Sequence, residues 1–290
     1  MTRPLLEVRD LVKDYKVGRG RRQETHRAVD HVSFSIAEGE VLGLVGESGS
    51  GKSTTARCLL RLVHPTSGSV TFGETDVLAA RGEEAKKLRA QMQMVFQDPY
   101  SSLNPRMRVE DIVAEGMVIH GTHRSRQERR DRVVELLEMV GLEATHLRRR
   151  PVQFSGGQRQ RVGIARALAL EPRLLVCDEP VASLDVSIQA QILNLFKRLQ
   201  EELSLTILYI AHDLATVRFL CDRVAVMNQG AIQEIGALDQ IYDRPQSAYT
   251  RELLSAVPVP DPQVQRSRDH HRRTAALAAA TATGVAVDEA

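Results

Sequence analysis

The chain has no tryptophan, only three cysteines, and an aromatic content of 4%. Cys58, Cys177 and Cys221 are odd in number and lack metal-ligand spacing, so neither a disulfide framework nor a cysteine metal site is expected. Packed thiols in a reducing compartment are the expected arrangement. No apolar run approaches the roughly 20 residues that span a bilayer. The longest, Leu205-Thr206-Ile207-Leu208-Tyr209-Ile210, reads as a buried strand. Met1-Thr2-Arg3-Pro4 is not followed by an apolar run of signal-peptide type, so a cytosolic chain that reaches a membrane only through a partner is expected. A strong charge of either sign is also missing. The 39 basic and 37 acidic side chains leave +2, which gives no general case for a nucleic-acid partner. The basic stretches Arg124–Arg132 and Arg148-Arg149-Arg150 read as solvated surface, because Glu128, Asp131 and Glu135 are interleaved with the first.

What is present is a regular alternation of short apolar runs and helical patterns. Leu5 to Val12 and Val32 to Ile36 alternate apolar and polar residues, as half-exposed strands do. Gly, Arg and Gln between them, over Val17 to Arg27, predict a loop. Val41-Leu42-Gly43-Leu44-Val45 is nearly continuous apolar residue and predicts a buried parallel strand. A helix is expected over Thr54 to Val63, and two more over Val109 to His120 and Arg126 to Met139. Another runs from Gln158 to Leu170 and ends near Pro172. Met94–Phe96, Leu174–Cys177, Leu205–Ile210 and Val224–Met227 are further apolar runs, and their alternation with helices argues for a mainly parallel sheet. With 290 residues there is room for one large domain with a subdomain and a tail.

Gly46-Glu47-Ser48-Gly49-Ser50-Gly51-Lys52-Ser53 follows the first buried strand directly and leads into a helix. That context suits a loop that cradles phosphate. Glycine lets successive N–H groups turn inward, the helix N-terminus adds a positive dipole, and Lys52 adds a full charge for the β- and γ-phosphates. The Ser53 hydroxyl can ligate Mg²⁺, and Thr54 is expected beside the α-phosphate. Chance matches to GxxxxGK[ST] in this length number on the order of 0.01. Asp178 ends a buried strand and can hold Mg²⁺ through water, and the next residue, Glu179, can take a proton from an attacking water. Ser155-Gly156-Gly157 opens the helix at Gln158 and offers a second anion-facing turn. His212 stands after the strand 205–210, where it can touch a γ-phosphate. Gln97 follows a strand and can reach the metal or the water, and Tyr15 can stack on adenine.

In this order the motifs resemble the nucleotide-binding subunits of ATP-binding cassette transporters, over about Leu5 to Pro262. Gly46–Ser53 looks like Walker A, Gln97 like the Q-loop, Ser155–Gln158 like the signature and Leu174–Glu179 like Walker B. Ser183-Leu184-Asp185 looks like the D-loop, His212 like the switch histidine and Tyr15 like the adenine-stacking aromatic. Phe154 departs from the family's usual Leu before the signature Ser, leaving the anion-contacting groups unchanged. Phe96-Gln97-Asp98-Pro99-Tyr100-Ser101-Ser102-Leu103-Asn104-Pro105-Arg106 and the stretch from Pro245 to Pro258 resemble the subfamily that powers oligopeptide and dipeptide importers. Some members of that subfamily carry an iron–sulfur cluster near the C-terminus; with no Cys after Cys221, none is carried over here.

The resemblance implies an α/β, P-loop NTPase-like fold with a mainly parallel sheet core, an antiparallel β subdomain and an inserted helical subdomain. It implies an ATP-binding domain over 1–257 with the helical insertion at about 99–170 and an importer-type C-terminal segment at 232–262; after Pro258, Pro260 and Pro262, the polar and Ala-rich composition of 263–290 predicts a disordered tail. ATP and Mg²⁺ are the implied cofactors, with Glu179, His212 and Gln97 catalytic and Ser53, Gln97 and Asp178 at the metal. The implied partners are a second cassette, by family habit a paralogue, packed head to tail so that each ATP lies between Lys52 of one subunit and the signature turn of the other, with Asp185 near the same interface. Two transmembrane permeases and, indirectly, an external binding protein complete the assembly, at the cytoplasmic face of the cell membrane. Peptides are the implied cargo, while nickel, glutathione and other small solutes stay open. A soluble cassette ATPase of DNA repair or translation is disfavoured, since no long heptad run and only one phosphate loop are present.

Overall fold

The computed structural model describes residues 4–18 and 24–255. The N-terminal alternation becomes an antiparallel pair, β1 (Leu6–Val17) with β2 (Glu24–Ile36), in which Leu6 stands opposite Ile36 and Tyr15 opposite His26. The loop expected over Val17 to Arg27 is therefore shorter, because Glu24–Arg27 belong to β2. Both strands run past the core there, so residues 14–17 and 24–27 are exposed or half-buried on both faces and carry no buried–exposed alternation. Ion pairing takes its place: Arg27 Nε donates to Asp14 Oδ1 at 2.9 Å across the strands.

The second sheet begins with β3 (Val41–Val45), all five residues of which are buried. It leads to α1 (Lys52–Leu59), then to β4 (Ser67–Phe72) and β5 (Thr75–Asp76), which join the first sheet in the order β2-β1-β4-β5. Next come α2 (Gly82–Gln91) and β6 (Met92–Val95). Four α-helices lie between β6 and the next strand: α3 (Pro99–Ser102), α4 (Val109–His120), α5 (Arg126–Met139) and α6 (Gly156–Leu168). The spans of α4 and α5 are those the apolar spacing predicts. Helix α5 starts at a capping box between Ser125 and Glu128, which sharpens its boundary. The remaining elements are β7 (Leu174–Asp178), α7 (Val186–Leu203), β8 (Thr206–Ala211), α8 (Leu214–Leu220), β9 (Arg223–Asn228), β10 (Ala231–Ala237), α9 (Leu238–Asp243) and α10 (Ala248–Ser255). Residues 256–262 of the expected C-terminal segment and the expected tail at 263–290 lie outside the described residues.

The larger sheet has the order β10-β9-β3-β8-β7-β6, parallel throughout except for β10. Its continuous apolar runs hide a period of two that divides them between two cores. Leu42, Leu44, Leu208 and Ile210 face the antiparallel sheet and α1, packing with Leu6, Ile36, Val70 and Leu59. Val41, Val45, Ile207 and Tyr209 face the helical side, with Ile164, Phe196 and Val217. Both faces are covered, so the strands need no polar side.

One carboxylate ties the C-terminal helix to β10. Glu234, 9% exposed, accepts the N–H groups of Gln246 at 2.8 Å and Ser247 at 3.0 Å, just ahead of α10. Burial by itself would raise the carboxyl; the two N–H groups and Arg251 outweigh it and hold the pKa below the ordinary range. A depressed folded pKa makes the contact stabilising above the ordinary carboxyl range and lost as pH falls through the folded value. Hydrogen-exchange protection in α10 should fall from about pH 4 downward. Glu234→Gln should lower that protection about tenfold at neutral pH, because a neutral amide offers the N–H groups a weaker acceptor. Undiminished protection in the variant would refute the anchoring role.

Candidate functional site

Parallel strands all present their C-terminal ends at one edge, and the site lies there. The order β3-β8-β7-β6 sets four strand exits side by side. They carry the loop 46–51, His212, Asp178 with Glu179, and Gln97 respectively.

The loop takes a path that only glycine permits at two points. At Gly51, which precedes α1 with φ of 105°, a Cβ would stand 2.2 Å from the Ala28 carbonyl oxygen. At Gly46 a Cβ would stand 2.0 Å from the Met227 carbonyl oxygen. Helix α1 begins at Lys52, where the turn of the loop runs straight into it. Gly49, Glu47 and Ser48 are exposed at the loop's crest, Thr54 is half-buried, and the Ser50 hydroxyl is buried without a hydrogen-bond partner among the described residues.

Lys52 is 4% exposed, and its Nζ donates to the carbonyls of Gly46 at 2.7 Å and Glu47 at 2.8 Å. Burial lowers its pKa, opposed by the nearby carboxylates of Glu179 and Asp178. The Ser53 hydroxyl donates to Asp178 Oδ1 at 2.7 Å. Glu179 is the hub: Oε1 is 3.8 Å from Lys52 Nζ, Oε2 accepts from Gln97 Nε2 at 3.0 Å, and Oε2 is 3.7 Å from His212 Nδ1. Its backbone is left-handed, with φ of 45°, and its N–H is held by the Ile210 carbonyl at 3.1 Å. Non-glycine residues rarely sit there, and the strain aims this carboxylate back over the loop's lysine.

The arrangement suits a polyphosphate and a hard cation. Ser53 and Asp178 supply two oxygen donors side by side, and no group of three or more His, Cys, Asp or Glu among the described residues could enclose a metal. Two protein oxygens plus water and phosphate is the donor set that Mg²⁺ takes at nucleotide sites. Gln97 binds Glu179 through its amide nitrogen, leaving the amide oxygen as a further acceptor.

Other expected residues lie elsewhere. Ser155 caps its own helix: its Oγ accepts from Gln158 N–H at 3.3 Å and Gln158 Oε1 accepts from Ser155 N–H at 3.1 Å. The capping box starts α6 at Gly156, ahead of the expected Gln158. Gly157 lies close against Ile188, where an added Cβ would come within 2.5 Å, and Gly156 faces Leu184. No hydrogen bond or ion pair among the described residues joins this turn to the loop 46–51. Asp185 is exposed at the start of α7. Tyr15, 37% exposed on β1, carries Lys13 Nζ over its ring at 4.9 Å. Two residues carry no assigned role in the sequence: Tyr242, and Tyr249, which stands there only as part of the importer-type stretch from Pro245 to Pro258. Tyr249 of α10 accepts from Glu47 N–H at 3.5 Å, and Tyr242 of α9 donates to the Leu214 carbonyl. Only long-range contact marks them, with 202 residues separating the first pair.

Comparison with known proteins places this geometry in context. The family profile described as "ABC transporter" matches residues 29–182. The oligopeptide transport ATP-binding protein OppF of Bacillus subtilis is 51% identical over 272 residues, covering 92% of this chain and 87% of that one. The dipeptide transport ATP-binding protein DppF of Lactococcus lactis subsp. cremoris is 48% identical, covering 92% and 86%. Among solved structures, a dimeric ATP-binding cassette in a post-hydrolysis state bound to ADP and Pi superimposes with a TM-score of 0.72 at 33% identity, covering 80% of this chain and 98% of that one. The cassette cbiO1 of Clostridium perfringens, part of the transporter complex cbiONQ, gives 0.73 at 29% identity, covering 92% and 99%.

Proposed function

The chain belongs to the ABC transporter family, and on that premise we propose that it is the ATP-hydrolysing subunit of an importer for oligopeptides or dipeptides. The observation that carries the reading is the meeting of Lys52, Gln97 and His212 on Glu179, with Ser53 and Asp178 alongside. In this reading Lys52 and the loop's N–H groups hold the β- and γ-phosphates, and Tyr15 offers its ring to the adenine. Glu179 accepts a proton from water as the water oxygen bonds to the γ-phosphorus. The bond from that phosphorus to the bridging oxygen breaks, ADP leaves, and His212 steadies the γ-phosphate oxygens. Mg²⁺, held by Ser53, Asp178 and the Gln97 amide oxygen, would neutralise phosphate charge.

The site is half of a larger one. The turn 155–157 lies apart from the chain's own loop, which supports a head-to-tail pair in which each cassette's turn, with Asp185 near it, closes on its partner's nucleotide. Subfamily resemblance favours a paralogue as that partner. Among the described residues no helix is long and apolar enough to cross a membrane, so attachment to the cytoplasmic face of a membrane would run through permease subunits. A cleft of about 560 Å³ beside the site suits such docking. Leu62, Phe96 and Ile119 line it and are exposed. Phe96 adjoins Gln97, so movement at the cleft would be felt at Glu179. Tyr100 is exposed as well, and the guanidinium of Arg159 on α6 lies 4.0 Å from its ring centroid.

Light scattering tests the clamp. The Glu179→Gln chain should double in mass on adding ATP, alone or with its natural partner cassette, because nucleotide that is bound but not hydrolysed holds the closed state. A mass indifferent to ATP, with every candidate partner present, would remove the head-to-tail assembly from the account.

A further inference from the structure

We propose that the segment formed by α9 and α10 is a strap that sets the two sides of the ATP site, with Tyr249 and Tyr242 as its positioning residues. The proposal rests on the ATPase reading above and adds a part to it. Tyr249 Oη accepts from the N–H of Glu47, the second residue of the phosphate loop, at 3.5 Å. Tyr242 Oη donates to the carbonyl of Leu214, two residues after His212. One short segment therefore touches both the loop that holds Lys52 and the turn that holds His212.

Each end of the strap is fixed independently of the nucleotide. Both rings are partly buried against the helical-side core, together with Leu253 and Leu254. The Glu234 carboxylate holds the N–H groups of Gln246 and Ser247, between the two tyrosines. On the far side, Asp213 Oδ1 accepts from Thr216 N–H at 2.9 Å and caps α8, so a pull on Leu214 moves a capped helix end rather than a loose loop. The Arg218 guanidinium lies 5.2 Å from the Tyr242 ring centroid on that same helix.

The two hydroxyls act on different quantities. Glu47 N–H and the Lys52 contacts to the Gly46 and Glu47 carbonyls occupy one stretch of backbone, so Tyr249 biases the shape in which the loop meets phosphate. Tyr242 acts on the turn carrying His212, which faces Glu179. Removing the first should affect ATP binding, and removing the second should affect the chemical step.

The test uses full-length chain assembled with its partner cassette and permeases, measuring ATP turnover and melting temperature. Tyr249→Phe should raise the ATP KM about three- to tenfold, the effect of one hydrogen bond, with kcat held within about twofold. Tyr242→Phe should lower kcat about three- to tenfold with KM held within about twofold. Phenylalanine keeps the packed rings, so both variants should melt with the wild type. A lowered KM in Tyr249→Phe, or KM and kcat unchanged in both variants, overturns the strap. So does a raised KM together with lowered kcat and melting temperature in both variants, which would mark a purely structural role. If Lys52→Ala weakens ATP binding about 10- to 100-fold while both phenylalanine variants behave as wild type, the ATPase reading stands and the strap alone falls.

Discussion

Replacing Glu179 by Gln should slow ATP hydrolysis by ~10² or more, as loss of a general base does, while ATP still binds. Glutamine has the same shape and keeps an amide oxygen for the Gln97 donor that now reaches Oε2 at 3.0 Å. It also pays no new backbone cost at φ of 45°, since glutamate already occupies that conformation. What it lacks is a basic oxygen for the proton that water must shed. Single-turnover hydrolysis and equilibrium binding, measured on the same preparation, separate the two effects. Wild-type turnover in the variant would refute Glu179 as the base, and loss of binding would show that it serves the loop instead.

Lys52→Ala should weaken ATP binding about 10- to 100-fold, the range for losing a hydrogen bond made by a charged group. In the present structure the ammonium is spent on the loop itself, on the Gly46 and Glu47 carbonyls, and lies 3.8 Å from Glu179. Phosphate would compete for a cation that is already buried and partnered, so the charge is preset rather than recruited from solvent. Alanine removes the only full positive charge that the loop 46–53 contributes, leaving Asp178 and Glu179 facing an incoming anion. Calorimetry with ATP decides the matter; an unchanged affinity would contradict the role given to Lys52.

Much of this was legible from sequence, and the legible parts share a physical cause. The loop 46–53 depends on glycine at certain spacings and on the helix that follows, all within eight residues. Helices α4 and α5 declare themselves by apolar periodicity, and α5 adds a capping box four residues wide. The parts that escaped share a cause too. Residues Glu24–Arg27 pair as a strand through ions rather than through an apolar face. The alternation implies a helix between the strands 174–178 and 206–211 without giving its bounds; α7 fills that interval and buries Ile192, Leu193, Leu195, Phe196 and Leu199 on one face.

By itself the sequence determined the local pieces: a glycine-shaped loop, a capped turn at 155–158, a carboxylate pair at the end of a buried strand, and a chain without a membrane-spanning run. Each is set by interactions between residues a few positions apart, which is the range over which backbone geometry and capping operate. Only the tertiary structure decided that Lys52, Gln97, Glu179 and His212 meet, because that follows from the strand order β3-β8-β7-β6, which is not the order along the chain. It also decided that the turn at 155–157 stays apart from the chain's own loop and that Tyr249 reaches Glu47. Parallel strands are ordered by how two-sided apolar ribbons pack between a sheet and a layer of helices, and no short stretch of residues encodes that choice.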